Sequence, residues 1–167
     1  PLIISTMMLD FVATFFYSAT ALLPIFATKV LNVGEVGYGT LSAAQSVGSA
    51  ITAVFLTQVE QIRKQGPILL GFVILYGIAT ILFGLAPTLL LAFLALMLVG
   101  ASDTVSTVIR NTIRQLQTPD ELRGRMVSIN QIFFMGGPQL GELEAGVVAQ
   151  FFGPIFAVVS GGIACIV

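Results

Sequence analysis

Four carboxylates, Asp10, Asp103, Glu142 and Glu144, fall inside or beside long apolar runs of this chain, where solubility cannot explain them. An ionised side chain at the centre of a membrane-spanning helix costs roughly 2.5–3.5 kcal/mol on insertion scales, so each needs a partner or a water-filled cavity. A carboxyl withdrawn from water also holds its proton more tightly, which is the property that proton coupling requires. Asp10 shares a helical face with Thr14 and Tyr17, four and seven residues on. That stripe either lines a cavity or places a carboxylate at the headgroups.

Asp103 and Arg110 lie on one face with Ser106 and Thr107 between them. Their separation is about 10 Å along a helix axis, which predicts no direct contact, each meeting a different helix instead. Arg110 is expected to snorkel to the cytoplasmic surface and leave Asp103 the deeper group. Asn130, Gln131, Gln139, Glu142 and Glu144 load a later run, which also carries Gly136-Gly137-Pro138, an expected kink. Glu142 shares a face with Gln139, whereas Glu144 lies about 200° around the helix. Either glutamate faces a cavity, or Glu142, about 24 Å along the axis from Met126, reaches exterior water.

The elements that carry these groups follow from composition. Charged residues are 9% of the 167, the apolar set is 56%, the net charge is −1, and mean hydropathy is +1.00. A soluble domain carries about a quarter charged residues, so the expected fold class is an all-α membrane protein. Runs of about 20 apolar residues, enough to cross some 30 Å of hydrocarbon, fall near 3–28, 38–58, 67–86, 88–110 and 126–150. A sixth starts near 154 and is too short to span as written. The expectation is a bundle of five full transmembrane helices plus a truncated sixth. With no initiator Met and no leader pattern before the first run, residues 1–167 read as a fragment of a longer protein. A β-barrel is excluded, since its strands would be about ten alternating residues.

Short connections make the helices antiparallel neighbours. Gly84-Leu85-Ala86-Pro87 and Phe152-Gly153-Pro154 are expected as tight turns, and Lys29 to Gly37 as a short Gly-rich loop. Of the loops, only 59–66 and 111–125 carry several basic residues, and the three others hold only Lys29. Glu60, Arg63 and Lys64 lie in the first, and Arg110, Arg114, Asp120, Glu121, Arg123 and Arg125 in or beside the second. The positive-inside rule makes both loops cytoplasmic. They are alternate loops, as antiparallel helices demand. Thr118 and Pro119 form a good start for a short surface helix, with Arg123 and Arg125 free to pair with acids on that face or merely to set topology. Ala44, Gly48 and Thr52, and Gly137 with Gly141, make small-residue faces for close helix packing.

Conventional enzyme chemistry has no support. The chain holds no His and one Cys, Cys165, with no nucleophile–base pair, no metal-ligand spacing and no phosphate-binding loop. No cofactor, metal or nucleic-acid partner is expected; the partners expected are lipid, a small-molecule substrate and protons.

Gly100-Ala101-Ser102-Asp103, Arg110, the block Thr118-Pro119-Asp120-Glu121-Leu122-Arg123-Gly124-Arg125, and Gln139-Leu140-Gly141-Glu142 with Ala145-Gly146 resemble the C-terminal half of a major facilitator superfamily transporter. Within the superfamily the chain is similar to the bacterial enterobactin-exporter-like permeases. The resemblance implies helices seven to twelve of a twelve-helix protein in the bacterial inner membrane, with the N-terminal half as missing partner. It also implies alternating access, with the charged loops as a cytoplasmic gate. Gln58-Val59-Glu60-Gln61-Ile62-Arg63-Lys64-Gln65-Gly66 departs from the superfamily's Asp-Arg-x-Gly-Arg form at the corresponding loop. The function implied is a secondary active transporter, a proton-coupled antiporter exporting a siderophore or drug; the alternative is a non-transporting scaffold or sensor subunit on the same bundle. Candidate pathway residues are Asp10, Tyr17, Asp103, Asn130, Gln139, Glu142 and Glu144; candidate gating residues are Glu60, Arg63, Arg110, Asp120, Glu121, Arg123 and Arg125.

Overall fold

A computed structural model describes residues 21–58, 65–117 and 123–166. A helical turn at Leu23–Ile25 runs into a π-helical turn at Phe26–Val30. Five helices follow: α1 Gly34–Leu56, α2 Gln65–Gly84, α3 Leu89–Gln117, α4 Arg123–Phe152 and α5 Pro154–Ile166. Three of the described helices, α1, α2 and most of α3, are long and apolar enough to cross a membrane. The 30-residue α4 has the length, but its polar side chains set it apart, and the 13-residue α5 is a shorter apolar helix. The first expected span lies mostly outside the described residues.

α3 is the central element, packing against α1 on one side and α2 on another; α5 packs on α2 and on α4. Side-chain volume at the crossings explains the closeness. A Cβ at Gly48 would overlap the Met97 carbonyl oxygen, and one at Gly100 the Gln45 carbonyl oxygen, so α1 and α3 meet backbone to backbone. α2 and α5 do the same: a Cβ at Gly77 would stand 2.7 Å from the Gly162 carbonyl oxygen, and one at Gly162 2.9 Å from that of Gly77. Around the α1–α3 contact Leu41, Ala44, Ala92, Ala95 and Leu96 are buried, with Phe26 stacked on Phe83 at 4.8 Å between ring centroids.

The expected tight turns stand at 85–88 and at Gly153, whose φ of 91° favours glycine. Two connections differ from expectation. The Lys29–Gly37 loop contracts to 31–33, because the π-turn extends through Val30 and α1 begins at Gly34. Residues 111–117, expected in a charged loop, are the last two turns of α3, which buries Arg114 instead of exposing it. α4 continues through Pro138.

Candidate functional site

The cytoplasm-directed snorkelling expected of Arg110 does not occur. Its side chain is 3% exposed, whereas that of Asp103 is 41% exposed, and the two lie 4.0 Å apart, Nη2 to Oδ1. This corrects the expectation that two helical turns are too far for contact. Helical side chains tilt toward the N-terminus, and a guanidinium on its long stem covers the remaining distance along the helix surface. On the way Arg110 Nη2 donates to Thr107 Oγ1 at 3.3 Å.

One turn further on, Arg114 is likewise buried. It donates through Nε to the Arg110 carbonyl oxygen at 3.3 Å, through Nη2 to Asn111 Oδ1 at 2.9 Å, and through Nη1 to Asn130 Oδ1 of α4. Asp103, Thr107, Arg110 and Arg114 fall within an arc of about 60° at 100° per residue, so one polar ladder climbs the second half of α3. Its far end is tied to α4 through Asn130. Ser102 and Ser106 are buried beside it, and Ser102 Oγ has no hydrogen-bond partner among the described residues.

Below Asp103 the ladder abuts the α1 crossing. The Gly100 carbonyl oxygen accepts from Thr104 Oγ1 at 2.8 Å and from Ser49 Oγ of α1 at 3.1 Å. Asp103 is 14 residues into α3, about 21 Å along an axis of some 40 Å, close to mid-helix. An exposed carboxylate in the middle of an apolar helix is costly in lipid, and the Arg110 guanidinium offsets part of that cost.

The remaining expected site residues divide into groups. Asn130 joins the ladder, while Gln139 and Glu142 are exposed and Glu144 is half-buried on α4. Arg123 and Arg125 fall in the first turn of α4. Asp10, Thr14, Tyr17, Glu60, Arg63, Lys64, Thr118, Pro119, Asp120 and Glu121 lie outside the described residues. Sequence reasoning overlooked Asn111 and the structural use of Arg114. The signal was present as Arg110-Asn111-x-x-Arg114, whose spacing puts all three on one side of a helix that outlasts the apolar run.

A family model described as transmembrane secretion effector matches residues 3–167. The chain belongs to this family, a branch of the major facilitator superfamily. It is 26% identical over 132 residues to the enterobactin exporter EntS of Shigella boydii serotype 18, covering 79% of this chain and 31% of that relative. To EntS of Citrobacter koseri it is 27% identical over 117 residues, covering 70% of the chain and 28% of the relative. The chain therefore spans about a third of the length of the curated relatives it matches. No solved structure matches it. The family assignment agrees with the resemblance to the major facilitator superfamily.

Proposed function

We propose that the protein is the C-terminal six-helix half of a secondary active exporter, helices seven to twelve of twelve, working by alternating access in a bacterial inner membrane. The observation that carries the reading is the Asp103–Arg110 pair, a carboxylate 41% exposed near the middle of α3 held by an arginine that is 3% exposed. A buried guanidinium keeps its charge, so the pair leaves one titratable group on the pathway side. Asp103 takes a proton in one orientation of the two halves and gives it up in the other, which couples efflux of a small organic molecule to the proton gradient. Glu142 and Glu144, on α4, are secondary carriers or contacts to the N-terminal half. The charged segments around Arg63 and Arg123 lie on the cytoplasmic side and close the gate.

Relatives named as enterobactin exporters support export, and a siderophore or drug is the cargo class proposed here. The test is efflux of a panel of siderophores and lipophilic drugs from cells that carry the full-length parent, with and without a protonophore. Loss of efflux on collapse of the gradient is expected. Efflux that persists would remove proton coupling, and no efflux of any solute would favour a scaffold or sensor subunit.

A further inference from the structure

The Asp103–Arg110 pair has a buried flank, and α2 and α5 supply it. Tyr76 of α2, Val99 of α3 and Cys165 of α5 are buried in one cluster. Val99 stands one turn before Asp103, and a helical side chain tilts over the turn N-terminal to its own Cα, so the carboxylate leans toward this cluster. α2 runs antiparallel to α3, with Leu69 packed among Val105 and Ile109 and Tyr76 beside Val99. The same tilt therefore carries the Tyr76 ring from the height of Val99 toward that of Asp103. From α5, Cys165 completes the flank. Its placement is set by the crossing of Gly77, next to Tyr76, with Gly162, and the charges of both Arg110 and Asp103 act on its thiol.

Other polar side chains of these two helices are satisfied locally. Thr80 Oγ1 donates to the Tyr76 carbonyl oxygen at 2.9 Å, and Ser160 Oγ to that of Ala157 at 3.0 Å, bonds that hide a hydroxyl within its own helix. A phenol reaches too far from the backbone for such a bond, yet the Tyr76 hydroxyl is withdrawn from water. A buried tyrosine tip calls for polar surroundings, and the charged group at this height is the ion pair.

We infer that Tyr76 and Cys165 are positioning residues of the proton site, holding the buried flank of the Asp103–Arg110 pair so that the carboxylate exchanges protons only on its exposed side. The inference rests on the proton-coupling reading and deepens it. A phenol and a thiol ordinarily keep their protons at neutral pH, so the flank solvates the pair without adding a second titrating acid. The groups facing Asp103 are then Arg110 and, one turn on, Arg114 from α3, with Tyr76 from α2 and Cys165 from α5. α1 carries no ionisable group after Tyr38, and α4 joins the ladder through Asn130, with Glu142 and Glu144 between three and four turns beyond it.

Alkylation of Cys165 by N-ethylmaleimide, in a full-length parent with every other cysteine replaced, tests the placement without transport. Only the thiolate reacts, so at mildly alkaline pH Arg110→Met should slow the reaction about threefold or more and Asp103→Asn should speed it by a similar factor, each rate taken per folded molecule. A change of the same sign in both variants would reflect altered access alone and would overturn the inference, as would no change in either. The positioning role is read from the pH profile of efflux. Tyr76→Phe and Cys165→Val remove polar groups that favour the ionised carboxylate, so the midpoint should move up by about half a pH unit or more, while Cys165→Ser keeps the wild-type midpoint. Rates lowered at every pH with the midpoint unmoved would make both residues structural only and overturn the role. Absence of efflux from wild type would count against the export reading, and the alkylation contrast would still decide whether the flank is built as inferred.

Discussion

Arg110 reaches back seven residues along α3 to bring its guanidinium within 4.0 Å of the Asp103 carboxylate, and the two partners differ more than tenfold in exposure, 3% against 41%. The buried partner is the permanent cation and the exposed one the titratable group. An arrangement of the opposite kind, with the acid buried, would anchor the helix but present nothing to a pathway. Removing the acid leaves a buried charge without its counterion, and removal of one member of such a pair costs about 3–5 kcal/mol where both are buried. Solvation of Asp103 reduces that figure here.

Arg110 and Asp103 should therefore respond unequally. Asp103→Asn, which leaves the buried guanidinium without this counterion, is expected to lower membrane levels, while Arg110→Met, which leaves only the more exposed carboxylate, is tolerated better. Quantitative immunoblotting of membranes from cells that carry each full-length variant checks this. Equal loss of both proteins would show that the pair is purely structural.

Asn130 should matter to stability more than its exposure implies. Asn130→Ala removes an acceptor from the buried Arg114, and a hydrogen bond to a charged group is worth about 1.5–3 kcal/mol. The measurement is the midpoint of thermal unfolding of the purified parent in detergent. A clear drop is expected for Asn130→Ala, and no change would mean that α3 and α4 are held together by other contacts.

Glycines at the crossings contrast sharply with glycines on open helix faces. Gly48→Ala and Gly100→Ala force α1 and α3 apart at backbone contact, an overpacking of about 1–3 kcal/mol. Gly39→Ala and Gly71→Ala meet nothing within 4 Å and gain helix propensity, about 1 kcal/mol at most. Thermal midpoints should fall for the first two and hold or rise for the second two; the reverse order would disprove the crossing geometry.

Phe26 is fully buried and stacked on Phe83, so Phe26→Ala should cost about 3–5 kcal/mol. Limited proteolysis of the parent in membranes reads the change, with faster cleavage near residue 30 expected. Unaltered cleavage would mean that the π-turn is held independently of this ring.

Much of the architecture was legible because hydrophobic runs and turn residues report directly on helices and their ends. Gly84 to Pro87 and Gly153-Pro154 marked two turns, and Ala44 with Gly48 marked the side of α1 that meets α3. The partners of those small residues were not legible. Gly100 was recognised only as part of a motif, and Gly77 with Gly162 went unremarked, because which helix opposes which is a tertiary fact that spacing does not carry. The ladder was misread for a related reason. Apolar character ends near Arg110 but the helix does not, since buried Arg114 finds its acceptors in Asn111, Asn130 and a carbonyl oxygen. Distance along an axis also underestimated what an arginine stem can span, which is why the Asp103–Arg110 contact was not foreseen.

The measurement closest to the central claim is gradient-driven enterobactin efflux by the full-length parent carrying Asp103→Asn, beside wild type at matched membrane levels. The account predicts at least a tenfold loss of efflux in the variant, with the protonophore having no further effect. Wild-type efflux that remains fully protonophore-sensitive in Asp103→Asn would contradict it and move the coupling role to another carboxylate.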